Sequence, residues 1–224
     1  LHTSDRGDDA PIIIAGGHAA YNPEPMAEFI DAFVIGEGEE AVHDVINSIQ
    51  SSRELGLSRK DTIAALASID GVYVPALYSP IYNEDGTFDS LKPVSSEIPL
   101  TIRKRICSEL PPPPDRFLVP SIDVVHNRVA MEIMRGCTRG CRFCHAGMVN
   151  RPVRERSVDV ILNSIENALQ NTGYEEIALL SLSSSDYTQI GELVSRITDR
   201  FSGKNLTISL PSLRIESFSV DLME

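Results

Sequence analysis

The sequence has no long hydrophobic run, few cysteines and no general excess of basic residues. Its longest apolar stretch, near Pro11–Ala15, is far shorter than the ~18 residues that a membrane-spanning helix needs. The first ten residues are polar and acidic, unlike a signal peptide, so we expect a cytoplasmic protein without a membrane partner. Four cysteines in 224 residues are too few for a disulfide scaffold.

The charge is negative overall but unevenly distributed. A net charge of −12 and a pI near 4.8 argue against a whole-chain basic surface for nucleic acid. One short stretch differs: residues 135–156 contain arginines at 135, 139, 142, 151, 154 and 156 and a single acid, Glu155, which gives a local charge of +5. The same stretch contains three of the four cysteines. Two interpretations stay open, a solvated basic loop and a site for an anionic ligand or cluster.

The first 60 residues alternate between strand and helix patterns. Pro11–Ala15, closed by Gly16 and Gly17, and Ala32–Ile35 are predicted to be buried strands. A helix is predicted over Glu39–Ile49. The apolar residues on its predicted buried face are Val42, Val45, Ile46 and Ile49. This alternation predicts a parallel α/β layer, of which 1–60 would be the C-terminal part.

The middle of the chain has a weaker pattern. Ser58 is predicted to cap a helix over Arg59–Ile69, a turn is predicted around residues 83–86, and four prolines at 111–114 stiffen the chain. We therefore interpret 61–128 as a connector between two domains.

A regular repeat of strands and helices begins at residue 129. Strands are predicted over Val129–Met134, Ile177–Leu182 and Leu206–Leu210. Helices are predicted over Val158–Leu169, capped by Ser157, over Tyr187–Phe201, capped by Asp186 with Gln189, and at Ser217–Met223. About 30 residues per unit is the repeat of a (β/α) barrel. We expect 129–224 to form its first half, so that the chain would be a fragment and poorly soluble and inactive alone.

The loop after the first of these strands contains the motif C-x3-C-x2-C, formed by Cys137, Cys141 and Cys144. Three thiolates in one loop can bind a [4Fe–4S] cluster and leave one iron open. They can also bind zinc with His145 as a fourth ligand, or two of them can form a redox pair. The isolated Cys107 is interpreted as a buried thiol.

This motif resembles that of the radical SAM superfamily, in which an aromatic residue, here Phe143, precedes the third cysteine. The resemblance implies that Cys137, Cys141 and Cys144 bind a [4Fe–4S] cluster and that S-adenosylmethionine (SAM) binds the open iron. Reductive cleavage of SAM would then give methionine and a 5′-deoxyadenosyl radical. The implied fold is a partial (β/α)6 TIM-like barrel.

The resemblance also assigns candidate SAM-binding residues. Phe143 would stack on the adenine, although a core position under the loop is the alternative. The residues in place of the family's Gly-rich segment, which would bind the SAM amino group, are Ser184, Ser185 and Asp186. Ser212 and Arg214 would bind the ribose or carboxylate. Asp186 also belongs to the predicted helix cap, and Arg214 could equally be a surface cation.

The N-terminal layer resembles the end of the Rossmann-like cobalamin-binding domain that precedes many radical SAM barrels. Gly16 and Gly17 would allow the backbone to approach the nucleotide tail of cobalamin. His18 is not assigned as a cobalt ligand, because the D-x-H-x-x-G segment of that family does not occur in this chain. The resemblance to this cobalamin-domain subgroup extends over essentially the whole chain.

Several functions remain open from the sequence. The first is a radical SAM enzyme with an external electron donor of the flavodoxin or ferredoxin type and an unidentified substrate, with cobalamin-dependent methyl transfer as one reaction. Methylthiotransferase-like modification of RNA or protein is the alternative reaction, although those enzymes have a different N-terminal domain. Two other function classes remain. One is a non-catalytic zinc or redox module, and the other is a binding protein that no longer cleaves SAM.

Overall fold

A computed structural model of the protein describes residues 1–114, 116–122 and 124–214. The chain forms two compact units, Leu1–Ser108 and Glu109–Glu224. The predicted connector, 61–128, is divided between these units. The fold is mixed α/β, as predicted. No helix in the described part of the chain has the length and apolar character needed to cross a membrane.

The first unit is built on a three-stranded sheet in the order β1-β2-β3. These strands are β1 (Ile14–Ala15), β2 (Ala32–Val34) and β3 (Val72–Tyr73). β1 and β2 are parallel, as predicted for residues 1–60, whereas β3, which lies in the predicted connector, is antiparallel to β2. Two helices, rather than one, lie between β2 and β3, and the additional reversal brings the chain back in the opposite direction.

The two helices between these strands are α1 (Gly38–Glu54) and α2 (Arg59–Leu66). The predicted cap of α2 is confirmed, because the Ser58 side chain accepts a hydrogen bond from the Asp61 amide. The predicted face of α1 is partly wrong: Val42 and Ile46 are 48% and 46% exposed. Its buried residues are Ala41, Val45 and Ser52. Two of the three are small or polar, so counting apolar residues did not detect this face.

A β-hairpin follows the first sheet. It consists of β4 (Tyr78–Tyr82) and β5 (Phe88–Pro93), joined across the predicted turn by a hydrogen bond from the Gly86 amide to the Asn83 carbonyl. The turn residues predicted this reversal, whereas the flanking strands were not predicted, because alternation is weak in a hairpin whose side chains are largely exposed.

The second unit contains a parallel sheet and a separate pair of short strands. The strands are β6 (Val129–Glu132), β7 (Met134–Arg135), β8 (Arg154–Glu155), β9 (Glu176–Leu180) and β10 (Thr207–Ser209). The sheet has the order β10-β9-β6 and is parallel throughout, as predicted, whereas β7 and β8 pair with each other in antiparallel orientation.

Three helices complete the second unit: α3 (His145–Val149), α4 (Val158–Thr172) and α5 (Ile190–Arg200). Ser157 caps α4 and Gly173 ends it in a left-handed conformation, both as predicted. The capping box at α5 is wrong. The helix begins at Ile190 without a side-chain cap, because the Asp186 carboxylate is bound by arginines instead.

The core of the second unit lies between the parallel sheet and the helices α4 and α5. Its fully buried members include Met131, Ile161, Ile177, Leu193 and Ile197. These residues come from the predicted strands and helix stripes, which confirms those patterns. Short 3-10 helices occur at Thr3–Asp5, His18–Tyr21, Glu24–Met26, Pro75–Leu77 and Ser184–Asp186. The helix predicted at Ser217–Met223 lies outside the described residues.

Candidate functional site

The three motif cysteines lie on a loop between β7 and β8, just beyond the carboxyl end of β6. The two short strands pair at Met134 with Glu155 and at Arg135 with Arg154, and so close the base of the loop. We call residues 136–153 the cysteine loop. In parallel α/β folds the carboxyl ends of the strands carry the chemistry, so the loop lies at the expected edge of the sheet.

Gly136 is essential to the narrow base of this loop, and the sequence reasoning did not single it out. Its φ is +91°, and a Cβ atom built on it would lie 2.6 Å from the Pro152 carbonyl oxygen and 2.7 Å from that of Asn150. Both the left-handed backbone and the contacts exclude a side chain. The signal in the sequence was a glycine directly before the first motif cysteine.

The three thiols differ in their surroundings. Cys137 is buried, and its Sγ accepts a hydrogen bond from the Arg139 amide at 3.4 Å. Cys144 is partly buried and caps α3, with its Sγ accepting from the Gly147 amide at 3.3 Å. Cys141 is exposed. All three are free thiols, two of which already accept amide hydrogen bonds of the kind that tune iron–sulfur centres.

A tetrahedral zinc site and a [4Fe–4S] cluster require different distances between their ligating sulfurs. Zn–S bonds of about 2.3 Å in a tetrahedron place the sulfurs about 3.8 Å apart. Among the described residues, the group of three ligands whose atoms all lie within 4.8 Å of one another does not include the loop cysteines. A [4Fe–4S] cluster suits more widely spaced thiolates, because each binds a different iron.

Two arginines of the basic stretch 135–156 bind Glu132, an acid that lies just before this stretch. The Glu132 carboxylate accepts hydrogen bonds from Arg135 at 3.0 Å and from Arg156 at 2.9 Å. Burial alone would raise the pKa of Glu132, but the hydrogen bonds and charges of the two arginines hold it below its usual value. Arg156 is itself buried and also donates to the Glu132 and Pro111 carbonyls.

A second acid, Asp186, lies between two further arginines. Arg139, from the cysteine loop, binds both of its carboxylate oxygens, at 2.7 and 3.1 Å, and Arg214 binds one at 2.9 Å. The hydrogen bond from Arg139 is the main reason that the pKa of Asp186 falls to about 2; burial opposes the shift, and Ser183 and Arg214 add to it. The charge of +5 was counted over residues 135–156 alone. It overestimates the local positive charge, because Glu132 and Asp186 bind arginines of this stretch but lie outside it.

The turn between β9 and α5 is attached to the base of the cysteine loop. The buried Tyr187 hydroxyl donates to the Arg156 carbonyl at 2.8 Å, and burial raises the pKa of that phenol to about 12. The Thr188 amide donates to the Glu155 carboxylate at 2.9 Å. Together with the Arg139–Asp186 pair, these contacts fix the cysteine loop against the end of β9.

The predicted SAM-binding residues occupy different environments in this structure. The Ser184 hydroxyl is fully buried within hydrogen-bonding distance of the Leu179 and Pro211 carbonyls, at 3.0 and 2.8 Å, which gives it a structural role. Ser185 is half-buried, and Ser212 is exposed with φ +63°. Asp186 and Arg214 lie together, but they bind each other. The SAM-binding role of these residues stays a prediction.

Phe143 lies at the tip of the cysteine loop and is 92% exposed. A position in the core under the loop is therefore wrong. The ring face is available for stacking, and the adenine interpretation stays a prediction.

In the first unit, Gly16 and Gly17 follow β1. Gly17 has φ +90°, and a Cβ built on it would have nothing within 4 Å, whereas one on Gly16 would make ordinary contact with Val34. The backbone there is open on one side, as the prediction requires, and the adjacent His18 begins a 3-10 helix.

The first unit also contains a second cysteine site. Cys107 is buried, which confirms the predicted environment, and its ligand atom and those of Glu37 and Glu39 lie within 4.8 Å of one another. The Cys107 amide donates to Glu37 at 2.7 Å. Sequence spacing did not reveal this grouping, because about 70 residues separate the partners.

Two family models match the chain. The model for radical SAM proteins, N-terminal, matches residues 1–75, and the model for the radical SAM superfamily matches 131–224. Together they cover most of the sequence, and the second includes all three loop cysteines. The chain is therefore similar to radical SAM proteins in both of its units.

Individual proteins are also similar to the chain. An uncharacterised protein of Methanocaldococcus jannaschii is 28% identical over 222 residues, which are 95% of this chain and 40% of that protein. The radical SAM methyltransferase TsrM from Kitasatospora setae, solved with cobalamin and a [4Fe–4S] cluster, has a TM-score of 0.52 at 16% identity over 96% of this chain and 40% of that one. Its structure with tryptophan and a SAM analogue gives 0.50 at 16% identity, over 96% and 39%. The chain thus spans about two fifths of these relatives and shares the fold of TsrM.

Proposed function

We propose that this chain is the cofactor-binding part of a radical SAM enzyme, in which Cys137, Cys141 and Cys144 bind a [4Fe–4S] cluster. The observation that carries the proposal is the position of the cysteine loop. It follows the first strand of a parallel sheet, it is closed at its base by β7 and β8, and it lies within the residues that the superfamily model matches.

The residues of the loop suit such a cluster. Cys137 and Cys144 accept amide hydrogen bonds that stabilise negative charge on sulfur, and Cys141 is exposed for ligation. Three protein ligands leave one iron open for the amino and carboxyl groups of SAM. When bound, the cluster would supply the electron that breaks the C5′–S bond of SAM. An external flavodoxin-type or ferredoxin-type donor would provide that electron.

We further propose that the sheet of the second unit is the first part of a (β/α)6 TIM-like barrel. Apart from the short β7–β8 pair, the strands β6, β9 and β10 follow one another in the chain, and they are neighbours in the sheet, as successive barrel strands are. The sheet of the first unit would be the C-terminal part of a Rossmann-like, cobalamin-binding-type domain. The likeness to the fold of TsrM supports both assignments.

The reaction that we propose for the full-length protein is cobalamin-dependent methyl transfer to an unidentified substrate. The two similar solved structures are of a radical SAM methyltransferase, in one case with cobalamin bound. This favours methyl transfer over methylthiolation of RNA or protein.

The experiment is anaerobic reconstitution of the full-length protein with iron and sulfide, followed by incubation with SAM, a reductant and, separately, cobalamin. We expect a brown protein that releases 5′-deoxyadenosine from SAM, or transfers its methyl group to bound cobalamin. A colourless protein with one tightly bound zinc would contradict the proposal. The variant Cys107→Ser is the matched control, because it removes a cysteine outside the loop.

A further inference from the structure

Arg151 lies near the end of the cysteine loop and contacts its beginning. Its Nε lies 3.3 Å from the Cys137 carbonyl oxygen, and its Nη2 lies 3.4 Å from that of Thr138 and 3.2 Å from that of Arg139. One guanidinium group thus binds three consecutive carbonyls, beginning at the first cysteine of the motif. A planar group with five N–H donors can do this, whereas an ammonium group presents a single compact charge.

One of these contacts is coupled to a cysteine sulfur. The Thr138 carbonyl and the Arg139 amide belong to the same planar peptide unit, in which C=O and N–H point in opposite directions. Arg151 binds the carbonyl, and the Arg139 amide donates to the Cys137 Sγ at 3.4 Å. Fixing one end of the peptide unit therefore fixes the direction of the other.

We propose that Arg151 is a positioning residue of the cysteine loop, which holds the Arg139 amide on the Cys137 sulfur. The contacts of Arg151 are independent of the proposed function. Only their effect on a cluster rests on it. A hydrogen bond to a ligating sulfur is one of the terms that set the reduction potential of iron–sulfur clusters. Arg151 also neutralises the negative ends of three peptide dipoles, the carbonyl oxygens. Without Arg151, these oxygens could face an anionic cluster and repel it.

Other arginines near the loop bind different groups, so one of them can serve as a control for the loss of charge at Arg151. Arg135, Arg139 and Arg156 bind the carboxylates of Glu132 or Asp186. Arg154, three residues after Arg151, donates to the Pro152 carbonyl at 3.3 Å. Replacing Arg154 with alanine removes the same charge from the same segment but leaves the contacts to the motif in place.

The first measurement uses the full-length protein without cluster and follows hydrogen exchange of the Arg139 amide. We expect Arg151→Ala to accelerate this exchange at least about tenfold, because local opening of the loop becomes easier. Arg154→Ala should leave it unchanged. Arg151→Lys, which keeps the charge but cannot bind three carbonyls, should give an intermediate rate. Unchanged exchange in Arg151→Ala would overturn the proposal.

The second measurement compares the reduction potentials of the reconstituted proteins. Arg154→Ala reports the loss of one positive charge, and Arg151→Ala should lower the potential further because the hydrogen bond to sulfur is also weakened. Equal shifts in the two variants would show that Arg151 acts by charge alone and would contradict positioning. If wild type binds no cluster, the proposed function fails, while the exchange rates still decide the role of Arg151. If Arg151→Ala does not fold, Arg151→Lys replaces it in both measurements, with Arg154→Lys as its control.

Discussion

The protein surrounds its cysteines in two opposite ways. In the first unit, the Cys107 thiol is buried and lies 3.8 Å from a carboxylate oxygen of Glu39, while its own amide binds Glu37. In the second unit, the sulfurs of Cys137 and Cys144 accept hydrogen bonds from backbone amides. One site thus places negative charge around a thiol, and the other directs positive dipoles at it.

The carboxylates make Cys107 a poor thiolate ligand. Burial, followed by the carboxylates of Glu39, Glu37 and Glu40, raises the pKa of Cys107, so the thiol stays protonated at neutral pH. In the cysteine loop, the sulfurs of Cys137 and Cys144 accept backbone amide hydrogen bonds and have no carboxylate as hydrogen-bond partner among the contacts described above. Cys107 and Cys137 are both buried, so the groups that face each sulfur, carboxylates in one case and a backbone amide in the other, are what distinguish the two sites.

The largest expected effect is the loss of the cluster on removal of one loop cysteine. In the full-length protein, Cys141→Ala should retain about a tenth or less of the wild-type iron after anaerobic reconstitution, because two thiolates hold a cluster poorly. Cys107→Ala should retain nearly all of it. Iron and sulfide analysis measures both. Equal iron loss in the two variants would abolish the distinction between the sites.

The next effect concerns the base of the cysteine loop. Gly136→Ala should destabilise the protein without cluster by about 3 kcal/mol, because the added Cβ meets two carbonyl oxygens in a left-handed backbone. Gly140→Ala is the control, since a Cβ at Gly140 has nothing within 4 Å. Urea unfolding of both variants gives the difference. Similar stabilities would show that the base of the loop is not tightly closed.

A smaller effect is expected at Asp186, whose pKa is lowered to about 2 from an ordinary value of 3.8. A lowered carboxyl pKa stabilises the fold above the unfolded-state pKa, and this contribution is lost as the pH falls toward 2. Asp186→Asn should therefore cost about 2 kcal/mol at neutral pH, and the cost should shrink below about pH 4. Unfolding free energies of wild type and variant across this range measure it. A cost independent of pH would contradict the Arg139–Asp186–Arg214 arrangement.

The smallest effect tests the acidic surroundings of Cys107. Glu39→Gln removes the second cause of its raised pKa, after burial, so the thiol should react severalfold faster with iodoacetamide at mildly alkaline pH. Because burial remains, the reaction should still be slower than that of the exposed Cys141. Mass spectrometry of labelled peptides measures both rates. A Cys107 rate unaffected by Glu39→Gln would show that Glu39 does not contribute to the raised pKa of Cys107.

Much of the second unit could be predicted from the sequence. The caps at Ser157 and Gly173 and the apolar stripes of α4 and α5 are local signals, and the structure confirms them. The cysteine motif was readable because its three ligands lie within eight residues of one another. Its position in a loop after a strand also followed from local patterns, whereas β8 at the end of the loop was not predicted.

The parts that the sequence did not predict depend on contacts between distant residues. Glu132 and Asp186 bind arginines that the charge count over residues 135–156 treated as unpaired. Asp186 is 47 residues from Arg139 in the sequence. The structural role of Ser184 depends on its hydroxyl lying between the Leu179 carbonyl in β9 and the Pro211 carbonyl after β10. The direction of β3 depends on the number of helices before it, and the buried face of α1 contains Ala41 and Ser52, which an apolar pattern passes over.

The most direct test of the central claim is electron paramagnetic resonance of the reduced, reconstituted full-length protein, recorded before and after addition of SAM. If Cys137, Cys141 and Cys144 bind a [4Fe–4S] cluster with one open iron, the reduced protein should show the signal of a single cluster, and SAM should change its shape. A signal that SAM leaves unchanged, or a protein that binds zinc and gives no signal, would contradict the account.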